Sequence, residues 1–270
     1  MVMPRPPSLA ELLTEAHTLA DLAGKKILPH FRKAMTVENK QNDGGFDPVT
    51  VADKAAERVM RQAIRKRFPD HAITGEEYGA DDSASRYRWV LDPIDGTRAF
   101  ITGYPLWGVL IGLLDGDTAI LGMMDQPYTR ERFWAAGARA QMRTIDGNIR
   151  TLKTRPCPRL ADAVLVSTAP DMFKTGAEQA AFGRVSKAAR MTRYGGDCYA
   201  YCMLAAGNID LVIEASLKPV DIVALIPIIE RAGGRITTWT GGTAISGGQI
   251  VAAGDPRVHE AALTLLAKRM

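Results

Sequence analysis

The sequence predicts an α+β fold made of two halves packed into one unit. Three observations carry this. Two long helical patterns open the chain, a run of short strand patterns follows them, and the second half alternates strand with helix. The order of helices first and meander second is not that of a regular βαβ repeat.

From Ser8 to about Phe31 apolar residues recur at helical spacing (Leu9, Leu12, Leu13, Ala16, Leu19, Ala20, Ala23), and Ser8 with Glu11 forms a capping-box pattern that starts the helix. The polar stretch Glu38 to Phe46, with Gly44-Gly45, reads as a mobile loop and, just before Asp47, as a lid. A second helix runs from about Thr50 to Phe68 with Ala52, Ala55, Val59 and Ile64 inward. The period then changes. Ala72 to Thr74 and Arg88 to Leu91 read as short strands, and Trp107 to Leu114 and Thr118 to Met124 as a hairpin through Asp115-Gly116. Arg132 to Ala136 and Ala138 to Thr144 extend the sheet.

After the loop at Arg155 to Pro158, Val164 to Val166 reads as a strand, and Gly176 to Ala189 and Asp197 to Ala206 as helices. Leu211 to Glu214 is a strand, Val220 to Arg231 a helix ending at Gly233-Gly234, Gln249 to Ala253 a strand, and Pro256 to Lys268 the closing helix. No repeat or linker separates residues 1–150 from 151–270, so the two halves are expected to pack as two lobes of one compact unit.

Composition narrows the class. The 270 residues are 46% hydrophobic and 24% charged, an ordinary globular balance. A net charge of +4 suits anionic ligands only weakly, and no basic run interleaved with aromatics points to nucleic acid. Apolar runs such as Val109 to Leu114 are far too short to cross a bilayer, and no signal-peptide pattern opens the chain. Cys157, Cys198 and Cys202 form neither a disulfide framework nor a zinc set and fit a reducing compartment, so the expected location is cytoplasmic.

The chemistry is concentrated in carboxylates. The apolar strand Trp89-Val90-Leu91 runs into Asp92-Pro93-Ile94-Asp95-Gly96-Thr97. Two acids at a strand end can converge on one point, and oxygen-only ligands suit a hard cation such as Mg²⁺. Gly96 lets the backbone approach a ligand, and the amides of Gly96 and Thr97 can hold a phosphate oxygen. Alone, an Asp-x-x-Asp turn reads better as an acidic surface turn with a helix cap. Gly75-Glu76-Glu77 adds a loop-borne acid pair, Asp47 and Asp53 bracket the start of the second helix, and Asp221 precedes an apolar helix either as cap or as ligand. His17, His30, His71 and His259 stand in no catalytic motif, and no nucleotide-binding glycine loop is present.

Taken together, Asp47 to Asp53, Gly75-Glu76-Glu77, Asp92 to Thr97, and Asp221 ahead of Ala232-Gly233-Gly234 resemble the inositol monophosphatase superfamily in identity and order. The resemblance implies a layered α/β/α/β/α sandwich of the inositol monophosphatase / fructose-1,6-bisphosphatase type, a cluster of two or three Mg²⁺ ions per subunit, and a homodimer. Glu76, Asp92 and the Ile94 carbonyl would hold one ion, and Asp92, Asp95 and Asp221 another. A metal-activated water would attack the phosphate of a small monoester directly, with Thr97 and Asp47 positioning it and Glu76 assisting.

Within the superfamily, Gly75-Glu76-Glu77-Tyr78-Gly79, Asp95 to Gly103, Gly195 to Tyr201 and Lys218 to Ile222 look most like the histidinol-phosphate phosphatase branch. Histidinol phosphate carries an ammonium and an imidazole, which a pocket would meet with acids away from the phosphate. Asp197 and Glu214 fill that description, with Arg193 and Arg98 either balancing these acids or touching the phosphate. Asp197 serves equally as an N-cap of the following helix. Val220 departs from the aromatic residue common there. The competing expectations are an inositol-1-monophosphatase or broad sugar-phosphate phosphatase, a nucleotide bisphosphate hydrolase, and a catalytically silent binding protein of the same fold.

Overall fold

A computed structural model describes residues 6–34, 37–39, 48–81 and 83–268. Its elements run α1 (Leu9–Ile27), a ribbon of β1 (Val37–Asn39) and β2 (Pro48–Thr50), α2 (Val51–Arg67), β3 (Ala72–Gly75), β4 (Gly79–Ala80), β5 (Tyr87–Asp95), α3 (Thr97–Thr102), β6 (Gly108–Asp115), β7 (Thr118–Gln126), β8 (Glu131–Ala136), β9 (Ala140–Arg143) and β10 (Ile149–Thr151). The second half continues with β11 (Val164–Ser167), α4 (Gly176–Ala188), β12 (Met191–Tyr194), α5 (Asp197–Ala205), β13 (Leu211–Leu217), α6 (Pro219–Ile222), α7 (Leu225–Arg231), β14 (Arg235–Thr238), β15 (Gly248–Ala253) and α8 (Pro256–Leu266).

Strands β3 to β10 form an eight-stranded sheet in the order β10-β9-β8-β7-β6-β5-β3-β4, antiparallel except where β3 lies parallel to β5. Strands β11 to β15 form a second sheet in the order β12-β11-β13-β15-β14. Alternation of side chains along the strands decides the layering. On β5, Trp89 and Leu91 join a core with Leu12, Leu19 and Met60 of α1 and α2, whereas Val90 faces the opposite way into a core with Cys202, Ile222 and Ile228 of α5, α6 and α7. On β13, Val212 faces that same central core, and Leu211 and Ile213 face α4 and α8. The result is the expected α/β/α/β/α sandwich, with one apolar core spanning both sheets.

The helices begin where their caps dictate. Ser8 and Glu11 satisfy each other's backbone N–H, at 2.8 and 3.3 Å, and Thr50 with Asp53 forms the same box at the start of α2. Each cap leaves an apolar stripe aimed at the sheet. On α2 the stripe falls on Ala52, Ala56, Met60 and Ile64, so two of the expected inward residues, Ala55 and Val59, are only half-buried.

Three further expectations are corrected. The helix expected over Val220 to Arg231 is two helices, because Pro227 has no N–H to continue a single one; α7 restarts so that Pro227 falls in its first turn, where no donor is needed. Strands β12 and β14, at the edges of the second sheet, were not anticipated. Glu38 and Asn39, expected in a loop, pair as β1 with β2. The rest of the expected lid, residues 40–46, lies outside the described residues, as does Asp47.

Candidate active site

The site lies where β3 and β5 end side by side. Parallel pairing of these strands brings the Glu76 amide to the Leu91 carbonyl at 3.1 Å, so Glu76 leaves β3 beside Asp92. The pairing of β5 with β6 shifts register between Asp92 and Asp95. That irregularity lets both acids face one side instead of alternating, while Asp92 Oδ1 accepts the Ile94 amide at 3.0 Å. Across the cleft, α6 brings in Asp221. One carboxylate oxygen from each of Asp92, Asp95 and Asp221 lies within 4.8 Å of the other two.

Helix starts hold the acids in place. Cys198 N–H, in the first turn of α5, donates to Asp95 Oδ2 at 2.7 Å, and Lys218 N–H donates to Asp221 Oδ2 at 2.7 Å. Asp221 is therefore both a cap of α6 and a member of the cluster. Thr97 begins α3 and donates its hydroxyl to the Ile94 carbonyl at 3.0 Å. Gly96, at φ +80°, caps α3, and a Cβ there would sit 3.1 Å from Asp197 Cγ, so the missing side chain makes room for that acid.

The electrostatics are those of acids forced together. Burial, and then the charges of Glu76, Asp95 and Asp221, push the Asp92 carboxyl well above its usual range. Burial followed by Asp197 and Asp221 does the same to Asp95. Burial outweighs the Lys218 amide and raises Asp221 to about 7. Asp53, which feels the charge of Glu76, is fully buried, and its Oδ1 has no hydrogen-bond partner among the described residues. Hard oxygen donors held together against their mutual repulsion are what a divalent cation would relieve, and Asp92, Asp95 and Asp221 fit one.

The surrounding cleft, about 310 Å³, is lined by Glu76, Asp92, Ile94, Asp95, Gly96 and Thr97 on one side and by Asp197, Glu214 and Asp221 on the other. Asp197 is the first residue of α5 rather than its cap: Gly196 takes the cap position, and Asp197 stands at φ +44° with its carboxyl raised to about 6, chiefly by burial. Glu214 is buried with both oxygens occupied, by the Thr168 amide and the Tyr201 hydroxyl, each at 2.9 Å, and burial raises it to about 7. Arg193 lies exposed on β12 and does not line the cleft. Val220 is buried in the central core, also away from the cleft.

Sequence reasoning missed Lys218 as a site residue, whose Nζ lies 3.6 Å from Glu76 Oε1, and it missed Asp171 and Arg98 as a pair, 3.3 Å apart at the cleft mouth. The position of Lys218 just before Pro219-Val220-Asp221 was the available signal. Asp171 carried none.

An acid cluster at paired strand ends, beside a small polar cleft between two sheets, is the arrangement of a metal-dependent phosphoric monoester hydrolase. The chain belongs to the inositol monophosphatase family, whose sequence profile matches residues 8–270. It is 43% identical over 261 residues to the chloroplastic bifunctional phosphatase IMPL2 of Arabidopsis thaliana, covering 93% of this chain and 73% of that one. It is 33% identical over 221 residues to a histidinol-phosphatase of Mycobacterium tuberculosis, covering 81% and 84%. The solved inositol monophosphatase of Zymomonas mobilis superposes with a TM-score of 0.85 at 37% identity, covering 97% of this chain and all of that one. Members of the family are metal-dependent phosphatases acting on small phosphate esters. No described helix is long and apolar enough to cross a membrane.

Proposed function

We propose that the chain is an Mg²⁺-dependent phosphatase that hydrolyses L-histidinol phosphate to L-histidinol and phosphate. The observation that carries the reading is the placement of Asp197: an acid of the second sheet's side, packed over Gly96 and facing the same cleft as Asp92, Asp95 and Asp221. That is where a cation on the organic part of the substrate would lie once its phosphate is at the cluster. The histidinol-phosphatases among the relatives support the same substrate.

Glu76, Asp92, the Ile94 carbonyl, Asp95 and Asp221 would hold the metal, in two or three sites. Bound Mg²⁺ supplies positive charge against the phosphoryl oxygens and lowers the pKa of a water. The chain's own residues do the rest. The amides of Gly96 and Thr97 hold a phosphate oxygen, and the Thr97 hydroxyl, fixed on the Ile94 carbonyl, orients the attacking water. Asp47, assigned from its motif, takes part in removing the water's proton, with Glu76 assisting. Asp197 meets the substrate ammonium, and Glu214 shapes that end of the pocket through Tyr201 and Thr168. Arg193, outside the cleft, has no part in this reading. The two halves, 1–150 and 151–270, act as one catalytic unit, and the active form is a cytoplasmic homodimer.

The test is phosphate release from L-histidinol phosphate and from inositol 1-phosphate, with Mg²⁺ and with EDTA, by the wild type and Asp197→Asn. Mg²⁺-dependent turnover of the histidinol ester, lowered in the mutant, supports the proposal. Turnover of the inositol ester alone replaces histidinol phosphate with a polyol phosphate, the reading favoured by the likeness to the Zymomonas structure. Turnover that survives complete metal removal overturns it.

A further inference from the structure

The turn that carries Glu76 is held by a buried carboxylate from elsewhere in the chain. Glu57, in the middle of α2, is completely buried. Its Oε2 accepts the Glu77 amide at 2.7 Å and its Oε1 the Tyr78 amide at 3.2 Å, so one side chain binds the two peptide groups that follow Glu76. Gly75 lies so close to this carboxylate that a Cβ there would fall 2.0 Å from Oε1. Glycine at this position is what lets the carboxylate reach the turn.

Glu57 is itself fixed by Arg61, one helical turn on, through an Nε–Oε1 contact of 2.7 Å. The remaining guanidinium nitrogens reach the Asp81 carboxylate and the Gly79 carbonyl, on the far side of the same turn. The segment from Gly75 to Asp81 is thus tied at both ends to one face of α2. A buried ion pair of this kind seldom adds stability over apolar residues of equal size. Its effect is on geometry, through the two amides it fixes next to a cluster acid.

We propose that Glu57 is a positioning residue for metal binding: it locks the turn at Glu77 and Tyr78, and so sets the Glu76 carboxylate beside Asp92. This rests on the reading of Glu76 as a metal ligand. Partners at one remove from a metal commonly change its affinity by about 10- to 100-fold when removed.

The experiment uses Glu57→Gln, with Met60→Ala as a control for lost packing on the same helix. Amide hydrogen exchange at Glu77 and Tyr78 is followed in the metal-free proteins, and Mn²⁺ binding is titrated by electron paramagnetic resonance. In Glu57→Gln, exchange at the two amides is expected to quicken by about 10-fold or more, and the Mn²⁺ midpoint to weaken by about 10- to 100-fold. Met60→Ala lowers the melting temperature without moving the midpoint. Unchanged exchange at the two amides, or a midpoint shift no larger than that of Met60→Ala, overturns the proposal. Should Glu57→Gln fail to fold, Gly75→Ala breaks the same contact from the other side and is read the same way. Glu76→Gln is titrated in parallel. If it binds Mn²⁺ like the wild type, the ligand reading fails, and the exchange data alone then decide whether Glu57 locks the turn.

Discussion

The backbone N–H of Cys198 donates to Asp95 Oδ2 at 2.7 Å, joining residues 103 positions apart. The first sheet supplies the charge, and the start of α5 supplies the dipole that keeps it tolerable. An asparagine at 95 can still accept this bond through its amide oxygen while removing the charge. Asp95→Asn is therefore expected to fold with its metal-free melting temperature unchanged or raised, and to lose activity by at least about 100-fold. A melting temperature lowered as far as that of a core truncation would show that the charge, not the bond, holds the seam.

Cation binding should be visible as stability. The repulsion among Asp92, Asp95 and Asp221 exists only in the folded protein, so a ligand that relieves it stabilises the native state alone. At about 100 times its dissociation constant such a ligand contributes about 2.7 kcal/mol. For a chain of this size that corresponds to a rise in melting temperature of roughly 5–10 °C. Scanning calorimetry with Mg²⁺ and with EDTA measures it, and Asp221→Asn should remove most of the rise.

Two glycines make the seat for Asp221. Gly112 and Gly122 face each other across β6 and β7, and the junction of α6 and α7 rests on this bare spot. A Cβ on Gly122 would fall 1.9 Å from the Ala224 carbonyl oxygen, a backbone atom that no rotamer change can move. Gly122→Ala should cost at least about 2–3 kcal/mol in urea unfolding and weaken metal binding as well. By contrast, Gly183 lies within α4 with open space around it, and Gly183→Ala should stabilise by about 0.5–1 kcal/mol.

Acid lability should depend partly on His17. Burial, and then the Arg132 guanidinium, lower its pKa to about 4. Arg132 NH1 lies 3.1 Å from His17 Nδ1, which accepts in the neutral tautomer. The unfolded chain takes up the proton near 6.5, so the stability linked to this group is present above that pH and is lost as pH falls toward 4. Gln at 17 offers an acceptor that does not titrate. The melting temperature of His17→Gln should therefore fall less steeply than that of the wild type between pH 6.5 and 4; equal slopes would refute it.

The sequence revealed most where chemistry and local geometry coincide. Asp92 to Thr97 is readable because its glycine, threonine and acids must be adjacent to act together, and Ser8 with Glu11 because a cap is a local bond. Glu57 was not readable. It looks like any charged residue of an amphipathic helix, and its partners Glu77 and Tyr78 lie about 20 residues on. The inward face of α2 was displaced for a related reason: Glu57 and Arg61 are buried on it, and polarity alone assigns them to solvent. Asp197 was read as facing the substrate or capping α5, and it lines the cleft while Gly196 holds the cap position.

The distance along the chain from Asp95 to Asp221 also sets an order of events in synthesis. At 5–20 residues per second a ribosome needs roughly 6–25 s to add the intervening residues. Through most of that interval Glu76, Asp92 and Asp95 have been made, but the start of α5 arrives only at residue 197 and α6 only at residue 219. A nascent chain therefore displays an anionic strand end, and free divalent cations in the surroundings are its available counter-charge until the second sheet is complete.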